Sequence, residues 1–219
     1  MLKTLLFPAQ CVGCMRELSG KILCDSCAGL LPKGFTPRCP RCSARLPHGT
    51  ICQPCREILG FSRLFVAFPY AHPIVTALVN AFKFDAIREI SSILAEYLVI
   101  PKIENMLIAP IPLHPKRLRE RGFNQSLCLA EEIASRLETD YTEVLTRRKE
   151  TKQQAKMSRE QRYENLRNAF AINDRQAILG KSILLVDDVI TTGATIREAA
   201  QTLRREGAKE IWASAAAQG

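Results

Sequence analysis

At 219 residues, with 47% hydrophobic and 24% charged side chains, the chain has room for one α/β domain of ordinary size and a small appendage. No apolar run approaches the ~20 residues a membrane span needs, and the N-terminal MLKTLLFPAQC, its short apolar run broken by Pro8, is too short for a secretory signal. Gln10 stands where a lipidated cysteine would want a small neighbour, so a cytoplasmic protein is expected. The formal charge of +9 counts every cysteine as neutral, which excludes a reading of charge without first settling what the thiols do.

The chain divides into residues 1–60, rich in turns and cysteine, and residues 61–219, with the longer apolar segments of an α/β core. Eight of nine cysteines form four C-x-x-C pairs: Cys11/Cys14, Cys24/Cys27, Cys39/Cys42 and Cys52/Cys55. The pattern C-x2-C-x9-C-x2-C occurs twice, at 11–27 and 39–55, and is an internal repeat. Each unit is too small to bury a core and needs metal to hold it. In a reducing compartment such pairs read as zinc ligands rather than disulfides. Two structural Zn2+ ions are expected, each with four thiolates. Sequential pairing closes each site within its own repeat; the alternative is an interleaved brace, first knuckle with third and second with fourth. Two Zn2+ on eight thiolates carry −4, which brings the +9 chain nearer to about +5.

In the second region, residues 74–84 and 86–100 have helical apolar spacing. MLIAPIPL, 106–113, is a short strand stopped by prolines, and 123–138 is an amphipathic helix that carries Cys128 as a core residue. KSILLVDDV, 181–189, is a continuous apolar strand, as in a parallel sheet covered on both faces. A helix over 195–207 and a strand over 210–217 complete a three-layer α/β domain. Ahead of the 181–189 strand, 147–167 holds eight Lys/Arg against three Glu with a poor apolar stripe. A long polar segment within a compact domain is either disordered or functional.

The segment ILLVDDVITTGAT carries the chemistry. Ligands of parallel α/β sheets sit at the carboxyl ends of strands, and Asp187 and Asp188 occupy such an end. Thr191, Thr192, Gly193, Ala194 and Thr195 then lead into a helix whose first turn reads as a capping box, Thr195-x-x-Glu198. Backbone N–H groups of such a loop cradle phosphate, and Gly193 allows positive φ and close approach. Two carboxylates just upstream accept hydrogen bonds from vicinal hydroxyls or hold Mg2+. Phosphate and diol together describe a ribose 5-phosphate. A P-loop reading fails because Arg175 stands where its first glycine belongs and Gly180-Lys181-Ser182 enters a strand. A receiver domain would carry its aspartates near its start.

This loop closely resembles the phosphoribosyl diphosphate (PRPP) loop of type I phosphoribosyltransferases. With the four C-x-x-C pairs, RGFNQS at 121–126, and Thr151, Gln154, Arg162, Asn165, Ala169 and Phe170 in order, the whole chain resembles the ComF/GntX family of competence-associated proteins. The resemblance implies a phosphoribosyltransferase-like parallel sheet with helices on both faces behind a double zinc ribbon. It implies that Asp187 and Asp188 contact ribose hydroxyls, that Thr191 to Thr195 hold the 5-phosphate, and that Mg2+ accompanies PRPP. It places the pyrophosphate loop at PIPLHPKRLRERGFNQS, with Lys116, Arg117 and Arg121 as contacts, against the plainer reading of a solvated helix start. It makes 146–170 a closing flap, with Arg147, Arg148, Lys149, Lys152 and Lys156 facing pyrophosphate.

The family's role in natural transformation implies handling of internalised single-stranded DNA, the least residue-specific of these expectations. The basic loops at 116–121 and 147–167, with Lys33, Arg38, Arg41 and Arg45 of the ribbons, suit a phosphate-tracking surface. Phe35, Phe61, Phe65, Phe68, Tyr70 and Phe123 read mostly as core. The alternatives are a metabolic phosphoribosyltransferase acting on a base or amine, and a non-catalytic PRPP-responsive adaptor that joins other competence proteins through its ribbons.

Overall fold

The computed structural model describes residues 10–148 and 166–219. The helices are α1 (Asp25–Gly29), α2 (Gln53–Leu59), α3 (Pro73–Phe84), α4 (Ile90–Glu96), α5 (Pro115–Arg121), α6 (Gln125–Leu137) and α7 (Ala194–Arg205). The strands are β1 (Arg63–Pro69), β2 (Met106–Pro110), β3 (Leu145–Arg147), β4 (Phe170–Ile172), β5 (Ser182–Ile190) and β6 (Glu210–Gln218). Strands β1, β6, β5 and β2, in that order, form a parallel sheet. Its registers align Leu184 with Trp212 and Ile108 with Leu184. Strands β3 and β4 pair antiparallel as a separate ribbon.

Alternation along the strands builds two cores. One face carries Ile108, Leu184, Val186 and Trp212 against α3, α4 and α6; the other carries Leu107, Ala109, Ile183, Leu185 and Ala213 against α7 and the β3–β4 pair. Helices on both faces are what the unbroken apolar runs of β5 and β6 require, since neither strand has a side for water. Among the described residues, no helix is long and apolar enough to cross a membrane.

The cysteine repeats join these cores, one on each face. Cys11, Leu23, Cys24, Cys27 and Leu31 pack with α3, whereas Cys39, Leu46, Ile51, Cys55 and Leu59 pack with α7. The module therefore straddles β1, one of the two edge strands of the sheet. Thr50 bridges to Arg63, the Ile51 N–H donates to the Ser62 carbonyl at 2.9 Å, and a Cβ on Gly49 would lie 2.6 Å from the Leu64 carbonyl oxygen.

Three sequence expectations change. The helix expected over 86–100 is only α4, because Ala86 turns the chain at φ 55°. Strand β1 has no counterpart in the sequence reading. The capping box read from Thr195 and Glu198 does not form: Gly193, at φ 72°, is the N-cap of α7, so Thr195 already lies inside the helix. Glu198 instead accepts the Asn168 N–H at 2.7 Å, which ties α7 to a residue just beyond the 149–165 stretch that lies outside the described residues. Lys149, Lys152 and Lys156 of the expected flap, and its Thr151, Gln154, Arg162 and Asn165, lie in that stretch.

Candidate functional site

Four thiols gather in each repeat, Cys11, Cys14, Cys24 and Cys27 in one and Cys39, Cys42, Cys52 and Cys55 in the other, with sulfurs within 4.8 Å of one another. The pairing is sequential. A tetrahedron of ~2.3 Å zinc–sulfur bonds has edges of about 3.8 Å, and Cys14 Sγ to Cys24 Sγ is 3.8 Å while Cys42 Sγ to Cys52 Sγ is 3.7 Å. The Cys24 N–H points at Cys11 Sγ from 3.3 Å, as thiolates want. Burial and neighbouring sulfurs push the Cys27 and Cys55 thiols up to about 12. Against the cost of its burial, backbone N–H donors bring Cys11 down to about 6. Four thiols this close do not all ionise without a cation among them, and both donor sets fit structural zinc.

The acidic pair sits at the carboxyl end of β5, in the middle of the sheet. Asp187 is half-buried by surface area, but its carboxyl lies deep among protein atoms. Burial first, and the Asp188 charge second, push that carboxyl up to about 7. Its Oδ1 accepts from the Asp188 N–H at 2.9 Å and from Ser126 Oγ at 3.2 Å. Asp188 Oδ2 faces Lys83 Nζ at 3.2 Å and Arg121 Nη1 at 3.8 Å. The two carboxylates thus differ: one is held by neutral donors in a poorly solvated place, the other is balanced by two cations.

These contacts explain the segment RGFNQS, whose individual roles sequence alone does not reveal. Arg121 donates to Gln125 Oε1 at 2.9 Å and reaches Asp188; Gly122, at φ 78°, turns the chain out of α5. Phe123 packs on Phe82, ring centroids 5.6 Å apart. Asn124 caps α6 by accepting the Ser126 N–H at 3.1 Å and donates to the Ile111 carbonyl. Gln125 donates to the Phe82 carbonyl near the end of α3, and Ser126 holds Asp187. The segment is a frame that fixes both aspartates against α3.

The three basic residues expected near pyrophosphate all lie on helix α5 rather than in a loop. Lys116 is exposed, and Arg121 turns to Asp188. Arg147 is brought down to about 10, by burial first and by the nearby Arg117 charge second, while Asp187 opposes the shift. Arg117 is half-buried. Arg147 itself is 8% exposed, at the end of β3, with its Cζ 5.7 Å from the Phe170 ring centroid. Arg147 thus feels both the Arg117 and the Asp187 charge.

The loop Thr191 to Thr195 carries the chain from β5 into α7, whose first-turn N–H groups have no partners within the helix, as at any helix start. Gly193 lies under the second cysteine repeat: a Cβ there would meet Pro40 Cβ at 3.0 Å and Cγ at 3.1 Å. Arg38 and Gln218 exchange two hydrogen bonds of 2.8 and 2.7 Å. The knuckle Cys39-Pro40-Arg41-Cys42 is therefore the roof of the loop, a contact that no spacing in the sequence announces. Gly193→Ala is expected to combine positive-φ strain of about 1 kcal/mol or more with that clash, and to lower the unfolding temperature. An unchanged thermal melt would contradict this.

The family described as Phosphoribosyl transferase domain matches residues 124–217, and the Double zinc ribbon domain matches residues 2–56. The chain is 32% identical over 190 residues to DNA utilization protein YhgH of Escherichia coli (strain K12), covering 80% of this chain and 82% of that one. It is 29% identical to Competence protein F of Haemophilus influenzae, over 94% and 95% of the two chains. With Competence protein ComFC of Streptococcus pneumoniae it shares 30% identity, over 86% and 84%. A solved glutamine phosphoribosylpyrophosphate amidotransferase from B. subtilis is 21% identical, over 77% of this chain and 31% of that one, at a TM-score of 0.39, a likeness too loose to bear on the site. With relatives at this identity across four fifths or more of both chains, the chain belongs to the ComF/GntX family of competence-associated proteins.

Proposed function

We propose that the protein binds PRPP at the carboxyl end of β5 and handles internalised single-stranded DNA in the cytoplasm. The observation that carries the reading is the Asp187–Asp188 pair, one carboxyl buried and the other paired, followed at once by the Gly193-led start of α7. Ribose hydroxyls donate to the two carboxylates. Thr191, Thr192, Gly193, Ala194 and Thr195, with the α7 N-terminus, hold the 5-phosphate. Arg117, with Arg147 and Lys116, takes the pyrophosphate. Mg2+ arriving with PRPP would neutralise pyrophosphate oxygens, and the carboxylate donors of this site fit that hard cation. If transfer occurs, the C1–oxygen bond to pyrophosphate breaks as C1 bonds to an acceptor nitrogen, which loses its proton.

DNA handling is supported by the basic balance of the chain and by what the relatives are called. Two other readings share the same PRPP site: transfer to a free base or amine, and a PRPP-responsive adaptor for DNA-uptake proteins.

The test is calorimetric titration of the zinc-loaded protein with Mg–PRPP, alongside Asp187→Asn with Asp188→Asn. Losing two charge-assisted hydrogen bonds is expected to cost about a hundredfold or more; unchanged affinity in the double variant sinks the site. Pyrophosphate release is then followed with free bases, amines and single-stranded DNA offered in turn. Release driven by a small acceptor favours the metabolic reading, and binding without release favours the adaptor. Oligonucleotide affinity is expected to fall by about tenfold or more between roughly 50 and 200 mM salt; a flat response rejects phosphate tracking.

A further inference from the structure

We propose that Phe84, backed by Arg121, is a stacking platform for a nucleobase beside the ribose site, an inference that rests on the PRPP reading and names the chemistry of the second substrate or ligand. Helix α3 ends at Phe84, and consecutive residues there do different things. Phe82 is fully buried and packs on Phe123, Lys83 pairs with Asp188, and Phe84 is turned outward with 72% of its surface exposed. Asp85 caps the helix and Ala86 turns the chain away at φ 55°.

Other large apolar side chains are exposed too, Val99 and Leu30 among them, and scattered exposure of that kind needs no explanation. Phe84 differs by what flanks it. The Arg121 guanidinium carbon lies 5.8 Å from its ring centroid, and Nη1 of the same side chain lies 3.8 Å from Asp188 Oδ2. One arginine therefore spans from the aromatic ring to the acidic pair. Gln125 fixes that span, accepting from Arg121 at 2.9 Å and donating to the Phe82 carbonyl two residues before Phe84. An aromatic ring with a guanidinium on one side and solvent over the rest of its surface suits a planar, electron-rich heterocycle. Lys83 and Arg121 are two cations facing the one Asp188 carboxylate, so net positive charge remains beside the ring for the phosphate of a strand whose base is stacked there. Neither leucine nor alanine at this position would offer a π face.

The shared chemistry is the nucleobase, which reaches the site either free or as part of single-stranded DNA. Phe84→Ala is compared with the parent protein in the zinc-loaded full chain, using oligo-dT, an oligonucleotide of abasic residues, and free nucleobases with and without Mg–PRPP. Stacking contributes about 5- to 100-fold per base on alanine substitution. Weakening of that size is expected for the base-bearing ligand, with the abasic oligonucleotide indifferent to the change. Phe84→Trp gives a second readout, since the natural Trp212 is buried at 5% exposure. The fluorescence of the introduced indole is expected to be quenched by oligo-dT alone if the base belongs to DNA, or by free bases with Mg–PRPP if it belongs to a small acceptor; either places the platform. Unchanged affinities for every base-bearing ligand together with an unquenched indole, or equal weakening toward the abasic strand, overturn it. Mg–PRPP titrated in parallel reports on the acidic pair separately, so that failure of the PRPP reading and failure of the platform give different results.

Discussion

Asp187→Asn is expected to stabilise the protein above neutral pH and, if the proposed PRPP site is right, to weaken PRPP binding. The Asp187 carboxyl is raised from 3.8 to about 7 by burial and by the neighbouring Asp188 charge. Between those two values the folded chain keeps a proton that the unfolded chain has already released. Stability from this group is therefore complete below about pH 4 and is lost as the pH rises through about 7. At about pH 8 the folded protein carries most of the cost of an ionised carboxylate in a poorly solvated place, which asparagine avoids. Its amide oxygen still accepts from Ser126 Oγ and the Asp188 N–H, the two bonds that Asp187 makes. A gain of about 2–4 kcal/mol at pH 8, shrinking to nothing near pH 4, follows from the size of the shift. Denaturant titrations of both proteins across that range measure it, with PRPP titrations on the same samples. Destabilisation at the alkaline end would mean that the carboxylate contributes to the fold, and is not held against it for the ligand.

Emptying the second cysteine cluster is expected to weaken PRPP binding at the proposed site, whereas emptying the first is expected to act chiefly on stability. A four-thiolate zinc contributes about 10–16 kcal/mol to a small module, comparable with the roughly 5–15 kcal/mol that holds a whole domain. Loss of either ion therefore melts its own repeat. The first repeat packs on α3, with a Cβ at Gly13 meeting Cys27 and Ile74. The second presses Pro40 on Gly193 and pairs Arg38 with Gln218, so its melting removes the roof of the loop from Thr191 to Thr195. Cys42→Ser, at an exposed ligand position, is expected to lower PRPP affinity by about tenfold or more, a change at the loop equivalent to one good hydrogen bond. Cys14→Ser, exposed in the first cluster, leaves affinity within about threefold where the protein remains folded. Zinc content, unfolding temperature and PRPP affinity are measured on the same preparations. Equal PRPP affinities in the two variants would separate the ribbon from the loop.

The sequence is most legible where one segment carries its own meaning. Strand β5 needs only its unbroken apolar run, and the two four-cysteine clusters only their spacing. Legibility fails where meaning lies in partners far along the chain. Ser126 belongs to a motif without a role until Asp187, 61 positions away, comes beside it. Helix α5 has no buried residue and so no apolar stripe to betray it; Pro115 at its first turn and the cap from His114 form it instead. Strand β1 escapes a sequence reading because its phenylalanines look like core without a period. Thr195 and Glu198 match a capping box in letters, but Gly193 starts the helix two residues earlier and frees Glu198 for Asn168. Phe84 closes a helical apolar pattern like one more core residue, and only its exposure and its arginine set it apart.

The straddling of β1 has a consequence for the life of the chain outside its folded state. An outermost strand offers a row of backbone donors and acceptors to any passing strand, and proteins that leave such a row bare are prone to edge-to-edge polymerisation. Here the start of the row is guarded by the stretch between the last two cysteine pairs, through Gly49, Thr50 and Ile51. A chain synthesised faster than zinc reaches it would present the apolar run LFVAF with that guard missing. Zinc-free protein is therefore expected to scatter more light on refolding than protein refolded with zinc, because only the folded second repeat covers the start of that edge.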